Sequence, residues 1–127
     1  MNLEIDNHVA LATGASRGLG KAICKHLIDE GASVVAVARS KDSLEELSTY
    51  AHERIHSIVC DMADKNTVAT LVDQTIDRFG ALHSVVNNAG IAPAEKFISS
   101  DISVMEEVFS VNLIAPALIS KAAAEYF

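Results

Sequence analysis

This sequence predicts an α/β fold built on a doubly wound parallel sheet of about four strands, order 3-2-1-4, with helices on both faces. Three observations predict it. Short, mostly apolar, β-branched runs alternate with longer stretches of helical spacing, the pattern of βαβ units. The first run, Val9-Ala10-Leu11-Ala12, leads directly into a glycine-rich corner and then a helix. The runs show little polar alternation, as strands covered on both faces should. Right-handed crossovers then place a crevice between strands 1 and 4, at their carboxyl ends. The 127 residues suit one domain, 1–127, with a sizeable core.

The elements follow in order. Strand 1 is Val9 to Thr13, and the glycine corner opens a helix at about Gly18 to Glu30, with Gly31 where a C-cap belongs. Strand 2 runs from Ser33 to Ala38, a second helix from about Asp42 to Ala51, and strand 3 from Ile55 to Cys60. The third helix, Lys65 to Phe79, is the clearest: Val68, Leu71, Val72, Thr75, Ile76 and Phe79 share one face, and Gly80 closes it. Strand 4 is His83 to Asn87. A helical region broken near Ser99 to Ser103 ends the chain, with Ser103-x-x-Glu106 as a capping box. Its last stretch, Val104 to Phe127, is apolar on more than one face, which implies burial against more than one neighbour.

Ten Lys and Arg against seventeen Asp and Glu give a formal net charge of −7. That balance argues against nucleic acid as a partner and provides no basic membrane-binding face. Any anionic ligand must be held by local features. Cys24 and Cys60 stand alone in apolar stretches, which suits reduced, buried thiols in a cytoplasmic protein. The N-terminus has no basic region followed by an apolar run, and no segment free of charges reaches the length of a membrane span. His52 and His56 are four apart but straddle a helix-to-strand boundary, so no metal site is expected.

The corner Thr13-Gly14-Ala15-Ser16-Arg17-Gly18-Leu19-Gly20 reads as a phosphate-binding turn, in which glycines let the backbone approach a pyrophosphate and the helix points its positive end at it. Its spacing is G-x-x-x-G-x-G, not the G-x-G-x-x-G of the common dinucleotide fingerprint. Packing glycines at a turn would also explain it. The end of strand 2 decides which dinucleotide fits. A fold selecting NAD usually places a carboxylate there, about twenty residues on, for the ribose 2′-hydroxyl. This chain has Ala38-Arg39 instead: the small residue leaves room for a 2′-phosphate, and the guanidinium can bind it, with Arg17 as a second cation. The alternative is that Arg39 is only a solvated residue before a helix.

The corner resembles the Thr-Gly-x-x-x-Gly-x-Gly motif of the short-chain dehydrogenase/reductase family, and the resemblance returns, in order, at Asn87-Asn88-Ala89-Gly90 and Val111-Asn112-Leu113. It covers essentially the whole chain and implies a Rossmann-like fold and an NADP(H)-dependent oxidoreductase. The resemblance implies that Gly14, Ser16, Gly18, Leu19 and Gly20 line the pyrophosphate and that Thr13 ties the turn to neighbouring backbone. Asp61 would contact the adenine amino group, with the Met62 backbone beside it, and Asn87, Ala89 and Gly90 would line the adenosine-ribose path. Asn112 aligns with the asparagine of the family's catalytic tetrad. Taken alone, Asp61 could be a turn residue, the Asn-Gly run turn chemistry, and Asn112 a group satisfying local backbone beside Pro116.

The family's reaction also needs a serine, and a tyrosine with a lysine four residues later. None can be assigned here: Tyr126 has no lysine after it, and Tyr50-x-x-x-Arg54 mimics the spacing at the end of the second helix. Members of the family run to roughly twice this length, so the expectation is a truncated, cofactor-binding half that holds NADP(H) without the groups for proton transfer. Two other readings stay open: an active oxidoreductase completed by assembly or by other groups, and a non-enzymatic structural fragment. The open strand 4 edge and the many-sided apolar helix imply a homo-oligomer, most simply a homodimer.

Overall fold

The computed structural model describes residues 1–127. Four parallel strands, β1 (Val9–Thr13), β2 (Ser33–Ala38), β3 (Ile55–Val59) and β4 (Ser84–Val86), lie in the order β3-β2-β1-β4. The register pairs Leu11 with Val35 on one side and with Val85 on the other. All four strands therefore end at the same edge. Winding reverses between β1 and β4, as the chain's alternation predicts.

Side chains of period two divide the sheet into two apolar layers. Leu11, Val35 and Val37 point to one face, which is covered by α3 (Lys65–Val68), α4 (Leu71–Phe79) and the C-terminal helical run, through Val68, Leu71, Val72, Val111, Ala115 and Ile119. Ala10, Ala12, Val34 and Ala36 point to the other, covered by α1 (Gly18–Asp29) and α2 (Lys41–Tyr50) through Cys24, Ile28, Leu44 and Leu47. The small residues of β1 on this second face let α1 pack close to the sheet. Glu46 of α2 accepts from both Lys21 and Lys25 of α1, and these two ammonium groups hold its carboxyl down at about 2. Both cysteines are free and buried, and burial pushes each thiol up to about 11.

Several boundaries differ from the sequence expectation. The helix expected over 65–79 is broken at Ala69 and Thr70. There the Thr70 hydroxyl and the Thr70 N–H both donate to the Thr67 carbonyl, tightening the turn. The apolar face survives the break: Val68, Leu71, Val72 and Thr75 are buried, with Ile76 and Phe79 packed beside them. β3 stops at Val59, and β4 is shorter than His83 to Asn87. At the carboxyl end of β4 the backbone turns away to a side-chain acceptor on β1, described below. The expected capping box is not formed. α5 (Ile102–Phe109) starts two residues earlier, with Asp101 at the cap and Ser103 inside the helix.

Past α5 the helix widens into a π turn, Ser110–Ile114, then continues as α6 (Ala115–Ala124). The cause is legible. Pro116 has no N–H to return to Asn112, and the ladder lengthens so that the Ala115 N–H reaches the Ser110 carbonyl. By length and composition the helical run Ile102–Ala124 would suffice to cross a membrane, although it is not free of charges, since Glu106, Glu107 and Lys121 lie within it. In the fold one stripe of it, Val111, Ala115, Ile119 and Ala123, is buried against the sheet.

Candidate functional site

The site begins with a backbone problem at the point where β1 and β4 part. Beyond Val86 the N–H groups of Asn88 and Ala89 have no ladder partner on β1, and that of Asn88 reaches back only to the Val86 carbonyl, at 3.1 Å. The Thr13 hydroxyl oxygen, at the buried end of β1, accepts from both, at 3.2 and 3.0 Å. The Asn88 side-chain amide returns a bond to the Gly14 carbonyl at 3.1 Å. The Ala15 N–H donates to the Val37 carbonyl, 3.1 Å away, fixing the corner to β2 as well. Three strand ends are thus tied together before any side chain faces the crevice.

The three glycines of the corner do different work. Gly14 (φ +63°) and Gly18 (φ +56°) both occupy the left-handed region that favours glycine. A Cβ at Gly14 would lie 2.8 Å from Asn88 Nδ2, and one at Gly20 would collide with the Gly14 carbonyl and the same amide, so these two let α1 close on the seam. At Gly18 no atom lies within 4 Å of where a Cβ would sit. Its bare face opens onto the crevice at the start of α1. That helix has Arg17 at its N-cap, no side-chain cap bond and no acidic residue in its first turn. Its leading N–H groups are left to an external acceptor.

The crevice encloses about 660 Å³. Gly14, Ser16, Arg17, Gly18 and Leu19 form one wall, and Ala38, Arg39, Ser40 and Ser43 form the next, at the end of β2 and the start of α2. Met62 follows β3, Asn88, Ala89, Gly90 and Ile91 follow β4, and Val111 comes from the π turn. Neither Arg17 nor Arg39 has a carboxylate within salt-bridge reach or a side-chain hydrogen bond, although the chain carries a net charge of −7. Two unpaired guanidinium groups facing one crevice lined by N–H groups make a surface suited to phosphate. A second depression, about 490 Å³, lies near the other end of the sheet among Asp6, Asp29, Glu30 and Arg54, far from the glycine corner and acidic.

Not every residue singled out from the sequence lines the crevice. Gly20 is buried behind the wall as a packing position. Asp61 stands outside the lining, its carboxylate accepting the Ala63 N–H at 3.0 Å. Asn87 turns away from the lining as well, its amide donating to the Ser120 hydroxyl on α6 at 3.2 Å, while its neighbour Asn88 takes the place on the wall. Asn112 spends its whole amide on Ile91: Oδ1 accepts the Ile91 N–H and Nδ2 donates to the Ile91 carbonyl, both at 2.8 Å. These two bonds fix the segment after Gly90 to the π turn.

The model of the family described as short chain dehydrogenase matches residues 8–127. The chain belongs to this family. Among curated short-chain dehydrogenases, the 3-oxoacyl-[acyl-carrier-protein] reductase FabG of Haemophilus influenzae is 32% identical over 114 residues, covering 90% of this chain and 47% of that enzyme. An L-rhamnose 1-dehydrogenase (NADP(+)) of Thermoplasma acidophilum is 34% identical, over 87% of this chain and 45% of its own length. The crystal structure of a short chain dehydrogenase from Burkholderia cenocepacia in complex with NADP superposes with a TM-score of 0.92 at 32% identity, over 97% of this chain and 52% of that one. The chain spans about half the length of the curated relatives it matches. Its Rossmann-like sheet, strand order included, is that of the family.

Asn88 as the wall residue, Ser43, Ile91 and Val111 were not singled out for the crevice from sequence. Only the register of β1 against β4 distinguishes Asn88 from Asn87, and no local pattern carries that.

The different surroundings of the glycines make a measurable contrast. Gly20→Ala forces a methyl against backbone and should destabilise the fold by about 1–3 kcal/mol. Gly18→Ala meets open space and should lose only the left-handed preference, roughly 1 kcal/mol. Urea unfolding of both variants checks the order; a larger loss for Gly18→Ala would contradict it.

Proposed function

We propose that this chain binds NADP(H) as the cofactor-binding part of a short-chain carbonyl or alcohol oxidoreductase. The observation that carries the reading is the pair of unpaired guanidinium groups, Arg17 and Arg39, in the wall beside Ala38, where a carboxylate would oppose a 2′-phosphate. Gly14, Ser16, Gly18 and Leu19, with the uncapped start of α1, would hold the pyrophosphate, and Gly20 keeps that helix close. The Met62 backbone, with Asp61 beside it, is proposed to meet the adenine, and Ala89 and Gly90, with Asn88 in place of Asn87 on the wall, to flank the ribose. Two similar proteins support the choice of cofactor: the NADP(+) rhamnose dehydrogenase by its name and the Burkholderia structure by its ligand.

When bound, NADP(H) supplies the hydride donor or acceptor of the reaction. These residues bind and orient it, and Asn112 keeps Ile91 and the preceding loop against the π turn. The 127 residues hold no serine-tyrosine-lysine set at the required spacing. As a polypeptide of this length the chain is proposed to bind cofactor without reducing carbonyls at an appreciable rate. The buried, free cysteines fit a cytoplasmic setting.

Self-association is the second part of the proposal, favoured by one observation. The face of the C-terminal run turned away from the sheet leaves Ile102, Phe109 and Leu113 more than half exposed, at 62%, 56% and 57%. β4 beside it is an edge strand. A second copy covering either surface gives the homodimer the sequence suggests.

Titration with NADP and NAD tests the cofactor. NADP should bind more tightly, and Arg39→Ala should weaken NADP about ten- to a hundredfold with little effect on NAD. Equal affinity of the unaltered chain for the two cofactors would contradict the reading, and cofactor-dependent carbonyl reduction by the purified chain would contradict its second half.

Light scattering over a dilution series tests the assembly. The expected result is a dimer at micromolar concentration. A folded monomer throughout would rule it out.

A further inference from the structure

His83 lies between α4 and β4, at the end of the sheet remote from the crevice, and it makes two bonds to one residue. Its backbone N–H donates to the Val9 carbonyl at 2.8 Å, and its ring Nδ1 accepts the Val9 N–H at 2.9 Å. A backbone N–H can only donate, so Nδ1 carries no proton and the ring is the neutral tautomer with its hydrogen on Nε2. The ring stacks on that of His8, with centroids 4.8 Å apart and planes 13° from parallel. Near-parallel stacked rings cannot aim their lone pairs at one cation, which leaves no chelating role for the pair.

Of the charged groups on adjoining segments, the Asp6 carboxylate is packed over Gly31 and Arg78 lies over the Phe79 ring at 4.7 Å. No carboxylate comes within salt-bridge distance of either imidazole. The group stacked on His83 is His8, a second imidazole. β4 itself is three residues long and pairs with β1 alone.

We propose that His83 is a pH-sensitive latch that pins β4 to β1, with His8 as its brace. A proton on Nδ1 removes the acceptor of the Val9 N–H, turns a second donor toward that donor, and sets a cation against the stacked His8 ring. The latch contributes stability while Nδ1 is free to accept the Val9 N–H and loses it when falling pH puts a proton there. It holds the strand whose far end carries Asn88 to Gly90, yet it stands or fails independently of any cofactor.

His83→Asn keeps an oxygen acceptor for the Val9 N–H and cannot titrate. Urea unfolding of both proteins from pH 7.5 to 5.5 should show the folding equilibrium of the unaltered chain falling about three- to tenfold more than that of the variant. His26, His52 and His56 are present in both and cancel, including His56, which burial and Arg78 hold below the ordinary imidazole range. Parallel pH dependences would overturn the proposal. Nitrogen-15 NMR of the unaltered chain at pH 7.5 provides a second readout that needs no variant: an unprotonated His83 Nδ1 is expected, and a proton on that atom would overturn the assignment.

Discussion

One hydroxyl oxygen holds the two halves of this sheet together where they diverge. Doubly wound sheets open at the switch point because consecutive crossovers leave on opposite faces, so backbone groups just past the strands lose their ladder partners. Here Thr13 Oγ1 takes the N–H groups of both Asn88 and Ala89, and Asn88 answers through the Gly14 carbonyl. The glycine corner and the segment after β4 are therefore fixed relative to each other by three bonds. Unpaired buried backbone N–H groups are expensive, which gives the arrangement its strength. The closeness of α1 follows from it, because at Gly14 and Gly20 the Asn88 amide and the corner's own backbone fill the space a side chain would need.

A second constraint fixes the other lip of the crevice. Pro116 cannot continue the α ladder, the helix answers with one π turn, and Asn112 within that turn has an amide left for a partner outside the helix. That partner is the Ile91 backbone, bonded in both directions as a neighbouring strand would bond it. The amide in an apolar helix, odd by composition, thus pairs two segments that no secondary structure joins. The same turn brings Val111 to the crevice.

Much of this was legible in the sequence, for reasons tied to particular residues. The strand order followed from the alternation of apolar runs, and the crevice from the place of the glycine corner, because both depend on chain direction and handedness. The face of Val68, Leu71, Val72 and Thr75 followed from spacing. The break at Thr70 did not, because a hydroxyl's choice of a nearby carbonyl over solvent leaves no periodic trace. The false capping box at Ser103 shows the converse: a local pattern lost to Asp101, which begins the helix earlier. In the site, Arg17, Arg39, Ala89 and Gly90 line the crevice. Asn87 and Asn88 exchange roles, since a one-residue step along a strand end reverses which side chain faces the wall. The stacked histidines at the far end of the same seam, His8 and His83, are 75 residues apart and could not be paired without the register.

The account rests on the glycine corner, the end of β2 and the segment after β4 acting as one binding surface across the Thr13 seam. Backbone amide shifts recorded by NMR during titration with NADP test this most directly. If the surface is one site, amides of residues 14–19, 39–43 and 88–91 shift together with a single saturation curve. Shifts confined to one side of the seam, or gathered around Asp29, Glu30 and Arg54 at the other end of the sheet, would contradict it.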